Sequence, residues 1–180
     1  MQAAPVMVPG TLKKDKNIPC LIPLAVDQDP HFRVARDVYP RLGFPKPSLI
    51  ECVFLPPLLG SGGKMSSSKN ESAIFTTDDA KTVKNKINKY AFSGGKDTIE
   101  EHRKHGGNPD IDVSFQYLKM MFEEDDSKLE EIEKNYKSGK LLSGELKSYL
   151  IDKINTFLKE HQKKREEAKH KINEFLMKVE

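Results

Sequence analysis

Two short apolar runs, separated by a turn that can only start a helix, constrain this chain more than any other feature. Residues 20–26 are apolar throughout, interrupted only by Pro23, and read as a short strand buried on both faces of a parallel sheet. Pro23 removes a ladder donor and so favours an edge position. The run ends in Asp27-Gln28-Asp29-Pro30. Asp29 as N-cap and Pro30 in the first turn predict a helix reaching about Leu42. Residues 48–55 read as a second strand, followed by Pro56-Pro57 and the loop Gly60-Ser61-Gly62-Gly63-Lys64-Met65-Ser66-Ser67-Ser68-Lys69. Strand, helix, strand and loop in that order form half of a doubly wound nucleotide-binding sheet, and Asp27 and Gln28 fall where such sheets collect ligands.

The texture changes near Phe75. Before it lie most of the prolines and the short apolar runs; after it, apolar residues recur at helical spacing among Lys and Glu. The expected division is therefore an α/β part, 1–75, and an all-α part, 76–180. In the second part Thr77 or Asp78 caps a helix carrying Val83, Ile87 and Tyr90 on one face. Others are expected over 113–122, from Asp126 to Gly139, and from Ser143 onward, with a break between His161 and His170 where the apolar stripe thins. A helical bundle follows from these amphipathic faces.

At 180 residues the chain is long enough for a real core and too short for a complete large enzyme. No apolar run approaches the roughly 20 residues of a membrane span, and the N-terminus lacks the features of a secretory signal. Two cysteines, Cys20 and Cys52, are too few for a disulfide scaffold, which points to a reducing, cytoplasmic setting. A net charge of +3 permits nucleic-acid binding without arguing for it.

The loop through Lys64 is the sharpest chemical feature, because successive backbone donors, a lysine and three hydroxyls suit a polyphosphate. A flexible surface loop has the same composition. It is not a Walker A loop, which would need glycine where Leu58 stands and Ser or Thr where Met65 stands, nor a dinucleotide fingerprint. Lys64-Met65-Ser66-Ser67-Ser68 resembles the Lys-Met-Ser-Lys-Ser loop of class I aminoacyl-tRNA synthetases, with Ser67 in place of the usual second lysine. Around it, Asp27-Gln28-Asp29-Pro30, Ala91-Phe92-Ser93-Gly94-Gly95, Asp97-Thr98-Ile99-Glu100-Glu101-His102-Arg103 and Asp112-Val113-Ser114-Phe115 stand in the order of the eukaryotic and archaeal tryptophanyl-tRNA synthetases. The chain is similar to that family over nearly its whole length.

The resemblance implies the second half of a Rossmann-like catalytic domain with its signature loop, followed by a helical anticodon-binding domain. It implies a C-terminal fragment, since the family's His-x-Gly-His motif is not in these residues. It further implies an ATP-dependent ligase that activates L-tryptophan to its adenylate and transfers it to tRNA(Trp), with Mg²⁺ carried on the phosphates and no metal held by protein. Carried over by position, Lys64, Ser66 and Ser68 act on the leaving pyrophosphate. Asp27, Cys52, Val53, Phe54, Gly63, Lys64 and Met65 bind ATP, with Asp27 facing ribose and the 52–54 backbone meeting adenine. Gln2 and Gln28 hold the amino group of tryptophan. The family's homodimer is expected for the intact protein.

Each residue also has a structural reading. Gln2 and Gln28 could bond their own backbone, Asp27 could serve a helix start, and Cys52 reads best as a small buried apolar residue. His102 and His105 lie three apart without further metal ligands and read as a polar loop. Two other functions stay open at this point: a noncatalytic helical RNA-binding module, and a tyrosine-specific sister ligase.

Overall fold

A computed structural model describes residues 2–60, 65 and 69–176. The chain forms two compact units, Met1–Phe54 and Leu55–Glu180.

In the first, α1 (Val8–Leu12) is followed by β1 (Leu21–Ala25), α2 (Asp29–Val38) and β2 (Ser48–Cys52). The strands are parallel, in register from Leu21 opposite Ser48 to Ala25 opposite Cys52; parallel pairing requires a crossover, which α2 supplies. Both strands of a two-stranded sheet are edges, so Pro23 is tolerated in β1. The core gathers Val6, Leu24, Phe32, Ala35 and Tyr39, the last three one turn apart along α2 and its continuation. The strands are not buried on both faces as expected: Leu24 is covered, but Leu21 and Ile50 are about half exposed. Asp29 is the first residue inside α2 rather than its cap, and its carboxylate pairs with Arg33 one turn on. The helix tightens into a 3-10 turn, Tyr39–Leu42, and Gly43 ends it at φ +79°, a left-handed conformation that favours glycine.

Residues 55–60 and 69–75, which share the texture of the first part, pack with the helical unit. Leu58, fully buried, joins Val83 and Ile87 in its core, and Phe92 N–H donates to Leu58 O at 2.7 Å. The compact units thus meet at Phe54/Leu55, ahead of the change in residue texture, because backbone pairing rather than composition holds this stretch.

The second unit contains α3 (Ala80–Tyr90), α4 (Ile99–His105), α5 (Val113–Tyr117), α6 (Asp126–Lys137), α7 (Ser143–Lys169) and α8 (Ile172–Phe175). Asp79 caps α3, accepting from Thr82 N–H at 2.7 Å, one residue beyond the expected Asp78. Helix α4 has one apolar residue, Ile99, and that is exposed, so no apolar period betrays it; its signals are the Thr98 cap and Gly106 at φ +68°. Helix α5 continues into a π-helical turn, Leu118–Phe122. Helix α7 runs unbroken through 161–169 and stops only at His170. Where its apolar stripe fails, ion pairs Glu160–Lys164 and Glu166–Lys169 take over, and Gln162 Nε2 ties it to the carbonyls of Thr76 and Asp78. Among the described residues no helix is long and apolar enough to cross a membrane.

Candidate functional site

The strand register decides which predicted residues meet. Because Ala25 lies opposite Cys52, both strands end together, and the chain leaves β1 through Asp27 and Gln28 at the same edge where it leaves β2 through Val53 and Phe54. Five of the expected contact residues, Asp27, Gln28, Cys52, Val53 and Phe54, are thereby collected at the carboxyl end of a parallel pair, the position that takes ligands in open α/β sheets. Gln28 Nε2 donates to Asp27 Oδ1 at 3.2 Å, a bond that uses the amide's donor end and keeps its oxygen for the role of acceptor. Asp27 is exposed and Gln28 half-buried. Val53 and Phe54 are 75% and 49% exposed, apolar surface beside a carboxylate and an amide. Cys52, read above as a buried apolar residue, is instead an exposed free thiol, since the two-stranded sheet covers only one side. Gln2 stands exposed on the turn before Ala4; its neighbour Ala3 accepts a hydrogen bond from Tyr39 Oη.

Gly63, Lys64, Ser66 and Ser68 lie outside the described residues; Met65 and Lys69 are exposed. The neck of their loop is closed: Leu58 N–H donates to Ser72 O at 2.9 Å, and Gly60 N–H to Pro57 O at 3.0 Å. Gly60 sits at φ +101° with the Phe92 ring 3.2 Å from where a Cβ would stand, and the left-handed backbone conformation favours glycine there. Behind the neck, Lys86 is buried and reaches Ala73 O at 3.1 Å and Asp78 Oδ2 at 2.7 Å, with Phe75 beneath its ammonium at 4.5 Å. A lysine among Lys and Asn residues reads as solvated, which hid it. Its position between Val83 and Ile87 on the apolar side of α3 was the available signal.

A second polar centre, also missed, surrounds Asp112. Its Oδ1 accepts from Ser114 and Phe115 N–H at 2.9 and 3.2 Å, capping α5. Its Oδ2 accepts from Gly94 N–H at 2.8 Å and Tyr136 Oη at 2.7 Å. Burial pushes the Tyr136 phenol up to about 12, because the phenolate loses its water. Burial likewise holds the Lys147 ammonium below the usual lysine range, with Asp112 opposing. His102, read above as part of a polar loop, is buried within α4, and its Nε2 lies 2.9 Å from Leu141 O. A carbonyl can only accept, so Nε2 carries the proton. Beside it opens a cleft of about 400 Å³ lined by Lys96, Thr98, His102, Ser143 and Glu145 among others. Among the described residues no three His, Cys, Asp or Glu side chains stand together as a metal site.

Residues 2–159 match the model of the tRNA synthetases class I (W and Y). The tryptophan–tRNA ligase of Sulfurisphaera tokodaii is 62% identical over 156 residues, covering 87% of this chain and 41% of that protein. The cytoplasmic tryptophan–tRNA ligase of Homo sapiens is 53% identical over 175 residues, 96% of this chain and 37% of that protein. Among solved structures, the tryptophanyl-tRNA synthetase from Giardia lamblia superposes with a TM-score of 0.78 at 51% identity, covering 82% of this chain and 36% of that one. The chain thus spans about two-fifths of the length of the curated relatives it matches. With a parallel strand pair, a loop and helices that match over 158 consecutive positions (2 through 159), the chain belongs to the class I tRNA synthetases of the W and Y group.

Proposed function

We propose that this chain is part of a tryptophan–tRNA ligase, which activates tryptophan with ATP and transfers it to tRNA(Trp), and that it works in the cytoplasm as its relatives' names have it. The observation that carries the reading is the shared strand end: Asp27 and Gln28 on one side, Cys52, Val53 and Phe54 on the other, in a chain 62% identical to a tryptophan–tRNA ligase. The strands and their loop, 1–75, are the second half of a Rossmann-like catalytic domain. The helices of 76–180 form the anticodon-binding bundle.

In this site the Asp27 carboxylate accepts from the ribose hydroxyls, and the backbone of 52–54 borders adenine beside the apolar surface of Phe54 and Val53. Gln28, with Gln2, offers amide oxygens to the substrate ammonium, supplying acceptors without a permanent charge. As the tryptophan carboxylate attacks the α-phosphorus, charge builds on the departing pyrophosphate. Lys64, with Ser66, Ser68 and the donors of Gly63 and Met65, takes up that charge. Mg²⁺ brought in on the phosphate oxygens would neutralise part of it. The closed neck at Leu58 and Ser72 gives the loop two fixed ends from which to act. The intact protein is a homodimer in this reading.

Exchange of pyrophosphate into ATP tests it. With a protein of the relatives' full length, exchange is expected with tryptophan and not with tyrosine, while the 180-residue chain alone gives none. Exchange driven by tyrosine, or none in the full-length protein, would overturn the reading.

A further inference from the structure

The segment that leaves the Lys64 loop, from Lys69 to Asp79, forms no strand and only one short turn, Asn70–Ser72, yet side chains from two helices hold it. From one side comes Lys86 of α3, 5% exposed. Its ammonium donates to Ala73 O at 3.1 Å and to Asp78 Oδ2 at 2.7 Å. The same carboxylate oxygen accepts from Phe75 N–H at 2.9 Å, so one buried ion pair closes the turn over residues 73–78. From the other side comes α7. Leu150, Ile154 and Leu158, buried and four residues apart, mark its inner face, and Gln162 takes the next place in that series. An apolar residue would have continued the stripe. The amide instead donates to the carbonyls of Thr76 and Asp78, at 2.9 and 3.0 Å. Beyond Leu158 no apolar residue of α7 is buried, so what the helix offers there is a polar hold on this segment.

We infer that Lys86 and Gln162 are positioning residues: they fix the outgoing limb of the loop from two sides and thereby set the rate of adenylate formation. The inference rests on the ligase reading above. Neither side chain is assigned a substrate contact; both act through the limb's carbonyls, Lys86 also through Asp78. Preorganised donors stabilise a developing charge only when they are already in place, and a displacement of about 1 Å remote from the chemistry can cost about 10²-fold in rate. A brace with no part in the reaction would lower stability and leave the folded protein's turnover as it was. That difference can be measured.

Two measurements test it on Gln162→Ala, Gln162→Glu and Lys86→Met. Amide hydrogen exchange on the 180-residue chain should become faster in 69–79 in each variant, with α5 unchanged. In a protein of the relatives' full length, the same variants should lower kcat for tryptophan-dependent pyrophosphate exchange by about 10- to 100-fold and keep KM for tryptophan within about twofold. Gln162→Glu keeps the shape of the side chain and loses only the donor; Gln162→Lys returns a donor and should recover most of the rate. Tyr136→Phe, which weakens the same unit away from the limb, should turn over like the parent. Melting curves establish that each variant is folded at the assay temperature, and the half-buried Gln162 carries the test if Lys86→Met does not fold. Unchanged hydrogen exchange in 69–79 overturns the inference, as does full turnover in a variant whose limb has loosened, an equal loss in Tyr136→Phe, or a loss confined to KM for tryptophan. No pyrophosphate exchange in the full-length parent would instead sink the ligase reading, and hydrogen exchange would still decide whether these two side chains hold the limb.

Discussion

Tyr136 Oη donates to Asp112 Oδ2 at 2.7 Å, and through that bond the end of α6 is held against the start of α5. Asp112 is 1% exposed and Tyr136 not at all. The carboxylate also receives three backbone N–H groups, and these would be left buried and unpaired without it. Asp112→Ala is therefore expected to destabilise the protein by about 3 kcal/mol or more, and Tyr136→Phe, which removes one bond to a charged group, by about 1.5–3 kcal/mol. Urea unfolding measures both. A Tyr136→Phe change within about 0.5 kcal/mol of the parent would show that the bond contributes nothing.

The same phenol makes stability depend on alkaline pH. Its value rises from 10.0 to about 12 on folding, burial being the larger cause. Between those values the unfolded chain has lost the proton that the folded chain keeps, so the stabilisation present below pH 10 drains away as pH rises toward about 12. Burial raises Tyr117 as well, so the decline is shared. Thermal melts from pH 9 upward, on a scale of about one step per pH unit, should show Tyr136→Phe with the shallower fall; identical profiles would refute the assignment.

Lys86 and Asp78 form an ion pair at 2.7 Å whose side chains are only 6% and 12% exposed. Removing the lysine strands the Asp78 carboxylate and frees the Ala73 carbonyl behind the loop neck. Lys86→Ala should cost about 3–5 kcal/mol. Lys86→Met, which keeps the stem packed over Phe75, should cost less. Equal losses would mean that the charge alone, and not the packing of the stem, holds this segment.

Two glycines of the helical unit should respond in opposite ways to alanine. Gly106 has φ +68°, and a Cβ there would stand 1.8 Å from Lys137 O. Backbone cannot yield as a side-chain tip can, so Gly106→Ala should cost roughly 2 kcal/mol or more. Gly144, in the first turn of α7, has nothing within 4 Å of its would-be Cβ. Gly144→Ala should stabilise by about 0.4–1 kcal/mol. Melting temperatures of the two variants decide the matter.

For the proposed chemistry, Lys64→Ala in a protein of the relatives' full length should slow tryptophan-dependent pyrophosphate exchange by about 10²–10³-fold, corresponding to roughly 3 kcal/mol at the barrier. Tryptophan binding, followed by fluorescence quenching, should change far less. Equal losses in both would remove Lys64 from its assigned role.

Elements that repeat a pattern over many residues can be read directly from the order of amino acids. The runs at β1 and β2, the apolar stripes of α3, α6 and α7, and the family motifs around Lys64 and Asp27 were legible, because periodicity and motif spacing are properties of neighbours along the chain. Which polar side chains end up buried depends instead on how the folded elements come together. Lys86, His102 and Asp112 carry charge or polarity that local rules assign to water, yet Asp78 and Ala73, Leu141, and Tyr136 with Gly94 supply their partners. His102, Asp112 and Tyr136 meet them from 24 to 39 residues away for the bonds to Tyr136 and Leu141. A buried polar group is stable only when those distant partners arrive together, and no window of sequence records that they do.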